Sequence, residues 1–268
     1  MTYSDTIGVM DSGVGGLTVL SELVKVLPSS KYIYLGDTKN LPYGSKTKDE
    51  ILFFNRNILN FFLTLGVKDI AIACNTTSAL TYEDLKKEFT PKGLRIFPLI
   101  QSAAYAAAQG LEAGDCICVL STVATAKSGK YANEIHKANP CLKVCEIPCP
   151  GFVEIVENRL YDTQESKKLI EEKMGIVLEN GAKRVILGCT HYPYLLDMFS
   201  KYVPREIFFN PAGSLVKSIC AVIKNTDDIG DIDFYVTGDP CEFKKSAKLF
   251  FDIKKEVKKV EMPQFNLV

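Results

Sequence analysis

Neither sign of charge is in excess, since Lys+Arg and Asp+Glu both number 32 in the 268 residues. With no long basic run either, the chain offers no surface for a polyanion, which argues against nucleic acid as a main partner. Long apolar runs are missing as well. Nothing approaches the roughly 18 unbroken apolar residues of a membrane span, and Met1 to Asp5 carries neither a basic nor an apolar leader region. The expectation is a cytoplasmic chain with no membrane contact. The glycine loop Asp11-Ser-Gly-Val-Gly-Gly16 is neither GxGxxG nor GxxxxGK[ST], and it lacks the lysine that would reach a nucleotide phosphate. Nine cysteines are present but no CxxC pair; Cys116 with Cys118, and Cys141 with Cys145 and Cys149, do not have zinc-knuckle spacing. An odd count without a secretory leader argues against a disulfide framework. Reduced thiols are expected, some of them chemical, and no metal.

What is present is a globular composition, 47% hydrophobic and 24% charged. At this length the chain supports either two compact units or one large α/β unit. Short apolar runs alternate with longer segments of helical period, the rhythm of parallel strands covered by helices. The runs Thr6 to Met10, Tyr32 to Leu35, Asp69 to Ala73, Arg95 to Leu99, Ile117 to Leu120, Leu142 to Ile147, Arg184 to Leu187, Glu206 to Phe209 and Phe234 to Val236 read as strands. Leu17, Leu20, Leu23, Val24 and Leu27 recur at the spacing of one helix face. Thr47 with Glu50 forms a capping box ahead of a helix reaching Leu65 and stopped by Gly66, and Asp162 with Glu165 marks another start, ended by Gly181. Lys254, Lys255, Lys258 and Lys259, interleaved with Val257 and Val260, read as a solvated helix or strand face. No linker-like segment divides the chain, so domain crossings are expected at short connections near Pro98 and Pro211.

In open α/β sheets, ligands bind beyond the carboxyl ends of the strands. Those ends offer the Asp11–Gly16 loop, Gly36-Asp37 leading to Pro42-Tyr-Gly44, Cys74-Asn-Thr76, Ser121-Thr122 and Cys189-Thr-His191. The segments Asp69-Ile-Ala-Ile-Ala-Cys74 and Arg184-Val-Ile-Leu-Gly-Cys189 echo each other, each a strand ending in a cysteine with polar residues and a helix to follow. A lone cysteine is usually a small buried hydrophobe. Two in equivalent positions, flanked by hydrogen-bonding residues, point instead to chemistry. A helix start lowers a thiol pKa from about 8.5 toward neutrality, so both thiols are expected to be reactive. His191, beside Cys189, can exchange protons near neutral pH; His136, among Asn133, Glu134 and Lys137, reads as a helix-surface residue.

These motifs occur together and in order in glutamate racemases, which the chain resembles from about Gly8 to Pro193. The segments are Gly8-Val-Met-Asp-Ser-Gly-Val-Gly-Gly-Leu-Thr18, Gly36-Asp37, Leu41-Pro-Tyr-Gly44, Ala73-Cys-Asn-Thr-Thr-Ser-Ala79, Ser121-Thr-Val-Ala-Thr125 and Leu187-Gly-Cys-Thr-His-Tyr-Pro193. The resemblance implies an α/β fold of two pseudo-symmetric lobes, residues 1–97 with 211–268 and residues 98–210, each a mostly parallel sheet flanked by helices, with the active site at their interface. It implies conversion of L-glutamate to D-glutamate for peptidoglycan without cofactor, pyridoxal phosphate or metal. Carried over by position, Cys74 and Cys189 are the proton-transfer pair, Asp11 and His191 their assistants, and Glu157 lies close by. Ser12, Tyr43, Gly44, Asn75, Thr76, Thr122, Thr125 and Thr190 would contact the substrate, with Asp11 and His191. Thr77, Ser121, Gly151 and Glu154 depart from the family pattern. A homodimer is one candidate assembly; spacing does not fix it. Competing readings are an aspartate or hydantoin-type racemase on the same scaffold, a non-catalytic small-ligand binding protein, and a redox enzyme that joins Cys74 and Cys189 in a disulfide.

Overall fold

A computed structural model describes residues 6–224 and 230–263 of the chain; Met1 to Asp5, read above for a leader, lie outside the described residues. Among the described residues, ten strands run β1 (Thr6–Asp11), β2 (Lys31–Gly36), β3 (Asp69–Ile72), β4 (Arg95–Pro98), β5 (Cys116–Ser121), β6 (Lys143–Pro148), β7 (Arg184–Gly188), β8 (Phe208–Phe209), β9 (Asp231–Val236) and β10 (Val257–Lys259). Every pairing between them is parallel. One sheet has the order β10-β9-β2-β1-β3-β4 and the other β6-β5-β7-β8. The chain divides into two compact units, Met1–Leu99 with Ala212–Val268, and Ile100–Pro211.

The central strands β1, β3 and β5 are buried at every position, which is why their interiors, residues 7–10, 70–72 and 116–120, read as unbroken apolar runs and not as alternating ones. In the first unit, the helix Lys48–Thr64 lays Ile58, Leu59 and Phe62 against Met10, Ile33, Leu35, Ile70 and Ile72. It starts where the capping box requires: Thr47 Oγ1 accepts from Glu50 N at 3.3 Å while Thr47 N donates to Glu50 Oε2 at 2.8 Å. Gly66 takes the left-handed conformation (φ 77°) that ends it.

Three expectations are corrected. The helix expected from Asp162 and Glu165 is capped by Thr163, whose hydroxyl accepts from Ser166 N, and spans Gln164–Glu179; a threonine placed for the third amide takes the cap from its acidic neighbour. The Glu206 to Phe209 strand shrinks to β8, because Arg205–Ile207 forms a 3₁₀ turn. The Phe234 to Val236 strand begins three residues earlier, where β9 pairs with β2 from Lys31↔Asp231 onward. The lysine-rich segment becomes the edge strand β10, with Val257 buried and Lys258 and Lys259 exposed. His136 lies exposed on the helix Lys130–Ala138, as read from the sequence.

Both sheets place a first strand between two later ones: β1 between β2 and β3, and β5 between β6 and β7. Loops leaving adjacent strand ends then diverge, and ligands bind at such points. Ala73 N donates to Met10 O at 2.9 Å, so the chain enters Cys74 directly beside Asp11. In the second sheet Ser121 is paired with Gly188, which brings the Thr122 and Cys189 ends side by side.

Candidate active site

In the first unit, the loop after β1 folds over its own aspartate. Asp11 is 2% exposed, and its Oδ1 accepts from Gly13 N at 2.9 Å. The chain passes so close at Gly16 that a side-chain carbon there would press on Asp11 Cβ and lie 2.9 Å from Tyr34 Oη. Glycine is the residue that permits this approach. Tyr34 Oη donates to Gly13 O at 2.7 Å and pins the loop from below.

Cys74 caps the short helix Asn75–Leu80, its sulfur 3.5 Å from Thr77 N and 3.8 Å from Ser12 Oγ. Thr77, one of the departures from the family pattern, is buried, and its Oγ1 accepts from Asn55 Nδ2 at 3.4 Å. Asn75 and Thr76 occupy the first turn, both buried. The expected acidic thiol is corrected. Burial first, and then the carboxylate of Asp11, push Cys74 up to about 11, while contacts with Thr77 and Ser12 pull it down. The amides of a six-residue helix do not overcome loss of water at a group that must become an anion. Cys74 therefore rests as a thiol at neutral pH.

The loop after β2 holds Tyr43 and Gly44. Tyr43 is buried with Ile51, Phe54 and Cys74 in one cluster, and its hydroxyl donates to Asp37 Oδ2 at 2.5 Å. Burial, and next the Asp37 charge, raise its pKa well above the ordinary phenol range, so it remains a donor. The sequence reading named the Gly36-Asp37 pair but gave Asp37 no role. The structure makes it a hub: Oδ1 also accepts from Thr237 Oγ1 at 2.6 Å and from Asn40 Nδ2 at 2.9 Å. Thr237 was missed altogether, because nothing local marks a threonine that pairs across 200 positions.

In the second unit, β7 ends in Gly188, where a side-chain carbon would stand 2.8 Å from Leu120 O and 3.0 Å from Ser121 Cβ. Cys189, Thr190 and His191 follow, all buried. They lead not into a regular α-helix, as the echo with Cys74 suggested, but into a 3₁₀ turn, Tyr192–Leu195, and the single turn Leu196–Phe199. Pro193 near the start of that turn withholds a backbone donor. His191 bridges two acids. Its Nδ1 lies 3.8 Å from Cys189 Sγ and its Nε2 lies 3.1 Å from Glu157 Oε1. Burial works against charge on this ring, but the hydrogen bonds and charges of Cys189 and Glu157 prevail and raise it from 6.5 to about 10. His191 is an imidazolium at neutral pH.

Glu157 ends the helix Phe152–Glu157, whose entry at Gly151 has φ 86°. That left-handed backbone accounts for glycine at this departure from the family pattern. Thr122 caps the helix Val123–Ser128, its Oγ1 accepting from Thr125 N at 3.3 Å and lying 3.0 Å from Thr125 Oγ1. Ser121, a further departure, is buried and donates to Thr122 O at 3.3 Å.

The sequence-expected residues thus form two sets. Asp11, Ser12, Tyr43, Gly44, Cys74, Asn75 and Thr76 lie in the first unit, and Thr122, Thr125, Glu157, Cys189, Thr190 and His191 in the second. Among the described residues no group of three His, Cys, Asp or Glu side chains is arranged to hold a metal, and no helix is long and apolar enough to cross a membrane.

Residues 7–217 match the family model described as Asp/Glu/Hydantoin racemase. Among curated proteins, the glutamate racemase of Carboxydothermus hydrogenoformans is 36% identical over 248 residues, covering 91% of each chain. That of Microcystis aeruginosa is 38% identical over 261 residues, covering 95% of this chain and 90% of its own. Among solved structures, glutamate racemase isoform RacE1 from Bacillus anthracis superposes with a TM-score of 0.89 at 29% identity, over 96% of this chain and 97% of its own. The Francisella tularensis glutamate racemase in complex with D-glutamate gives 0.87 at 28% identity, over 97% and 98%.

Proposed function

The chain belongs to the Asp/Glu/hydantoin racemase family, and from that premise we propose that it interconverts L- and D-glutamate by a two-base mechanism. Cys74 and Cys189 are the two acid–base groups of that mechanism, one for each face of the α-carbon. The observation that carries this reading is the unlike preparation of two cysteines at equivalent strand ends. Cys74 is held as a thiol by burial and the Asp11 carboxylate. Cys189 instead has the Nδ1 of the His191 imidazolium 3.8 Å from its sulfur, a ring that Glu157 backs at 3.1 Å. One thiol that gives a proton and one thiolate that takes one are what inversion needs at its start, and the roles exchange with direction.

The α-hydrogen of an amino acid is weakly acidic, and general-base catalysis supplies about 10² to 10⁴ in rate. The remainder comes from stabilising charge on the adjacent carboxylate as the proton leaves. Ser12, Asn75 and Thr76 beside Cys74, and Thr122, Thr125 and Thr190 on the second unit, supply donors of the required kind, and Tyr43 and Gly44 complete the contacts. Asp11 raises the proton affinity of Cys74 and so helps return it to the thiol; His191 stands beside Cys189 as its proton-transfer assistant, with Glu157 holding its ring.

Glutamate over a shorter substrate rests on the glutamate racemases that the chain matches along nine-tenths of its length. Its D-glutamate supplies peptidoglycan, and the enzyme works in the cytoplasm, with a homodimer as one candidate assembly. Chiral analysis of product from L-glutamate, D-glutamate and both aspartates tests the reading. Equal mixtures from either glutamate, with aspartate unchanged, are expected. Turnover of aspartate alone would replace the substrate and keep the scaffold. Retained glutamate affinity with no turnover would leave a binding protein.

A further inference from the structure

Thr237 sits just beyond the carboxyl end of β9, far in sequence from every residue assigned above, and is 1% exposed. Its hydroxyl is fully used: it donates to Asp37 Oδ1 at 2.6 Å and accepts from Lys39 N at 3.0 Å. The neighbouring Gly238 N donates to Thr38 Oγ1 at 3.0 Å, and Thr237 N donates to Gly36 O. Four hydrogen bonds thus stitch the end of β9 to the first residues after β2. The carboxylate held this way also accepts Tyr43 Oη at 2.5 Å, and Tyr43 packs in the same cluster as Cys74. The backbone of this hub is anchored too, since Asp37 N donates to Asp11 O at 3.0 Å.

We infer that Thr237 is a positioning residue: by orienting Asp37 it fixes Tyr43 and the Tyr43-Gly44 loop beside Cys74. A carboxylate can rotate about its last bond, and one oxygen stays aimed at Tyr43 only while the plane of the group is held. Asn40 Nδ2 lies nearly equidistant from both oxygens, at 2.9 and 3.0 Å, and so constrains that rotation weakly; Thr237 grips the oxygen opposite the one Tyr43 uses and sets the plane. The inference that this loop then sets substrate affinity rests on the glutamate racemase reading. The segment Ala212–Val268 would in this way serve the site through a residue that never touches substrate.

The test is Thr237→Val, which keeps shape and loses the hydroxyl, against Thr237→Ser, which keeps both hydrogen bonds. Loss of a hydrogen bond to a buried carboxylate is expected to raise KM for glutamate about tenfold, with kcat within about threefold of wild type, and Thr237→Ser should restore both. Hydrogen exchange gives a readout independent of turnover. Backbone amides from Lys39 to Lys46 should exchange at least about tenfold faster in Thr237→Val, with β1 and β3 unchanged and Thr237→Ser like wild type. A wild-type protein that does not racemise glutamate would remove the functional reading while the exchange result still decides whether Thr237 holds the loop. Unchanged loop exchange, equal impairment of the two variants, or a fall in kcat at constant KM would overturn the inference.

Discussion

Removing His191 should change how stability depends on pH, and the structure sets the size of the effect. With the ring at about 10 in the folded chain and near 6.5 in an unfolded one, the folded state holds the extra proton between those values. Stability from this source is complete below pH 6.5 and is lost as pH rises through about 10. At roughly 1.4 kcal/mol per pH unit, the interval gives a ceiling of about 5 kcal/mol. Glu157 is 31% exposed on its side chain, so its share is screened by water, and about 2–3 kcal/mol is the working figure. The assay is urea unfolding of wild type and His191→Asn at pH 6.5, 8 and 10. The gap between them should be largest at pH 6.5 and shrink by about 2 kcal/mol or more by pH 10. The chain has two histidines, so the ring signal absent from the His191→Asn spectrum identifies His191 in proton NMR; it should stay protonated through pH 8, and Glu157→Gln should move its titration downward. A gap that does not vary with pH, or a His191 ring titrating below 7, would refute the reasoning.

Cys74→Ser and Cys189→Ser should each abolish inversion while leaving the far-ultraviolet circular dichroism of wild type, because each exchanges one atom of a small side chain. Alkylation of Cys74 by iodoacetamide, followed by peptide mass spectrometry, should accelerate about tenfold per pH unit between pH 8 and 10, since the thiol titrates at about 11; a rate already flat at pH 8 would contradict the correction made above. Gly16→Ala should destabilise the first unit by about 1–3 kcal/mol and depress turnover further, because the added carbon meets Asp11. Leu59→Ala, at a fully buried position against the first sheet, should cost about 2–5 kcal/mol in unfolding free energy and leave KM unchanged.

Strand positions were legible because parallel strands covered on both faces carry apolar residues on both, as the interiors of β1, β3 and β5 do. The start of β9 was not: Asp231 and Asp233 sit near the edge, where acids face Lys255 and Lys258 and not a core, so the strand does not look like one until Phe234. The chemistry-bearing residues could be named from their places at strand ends, but their proton affinities could not. Helix-start placement argued for an acidic Cys74, and burial beside Asp11 reversed it. His191 shows the same limit from the other side, since its bond to Glu157 spans 34 positions and no local pattern announces it. Asp37 and Thr237 lay furthest beyond reach. Their roles exist only through the β2–β9 pairing that brings Gly36 beside Val236.

The central claim, two thiols acting from opposite faces, is tested most directly by proton NMR and chiral analysis at early times with L-glutamate in D₂O. The account predicts D-glutamate carrying deuterium at its α-carbon while the unreacted L-glutamate retains protium, because the proton taken by one sulfur is not the one delivered by the other. D-glutamate that retains the original proton, or L-glutamate that exchanges as fast as D-glutamate appears, would indicate a single base and contradict the assignment of Cys74 and Cys189 as a pair.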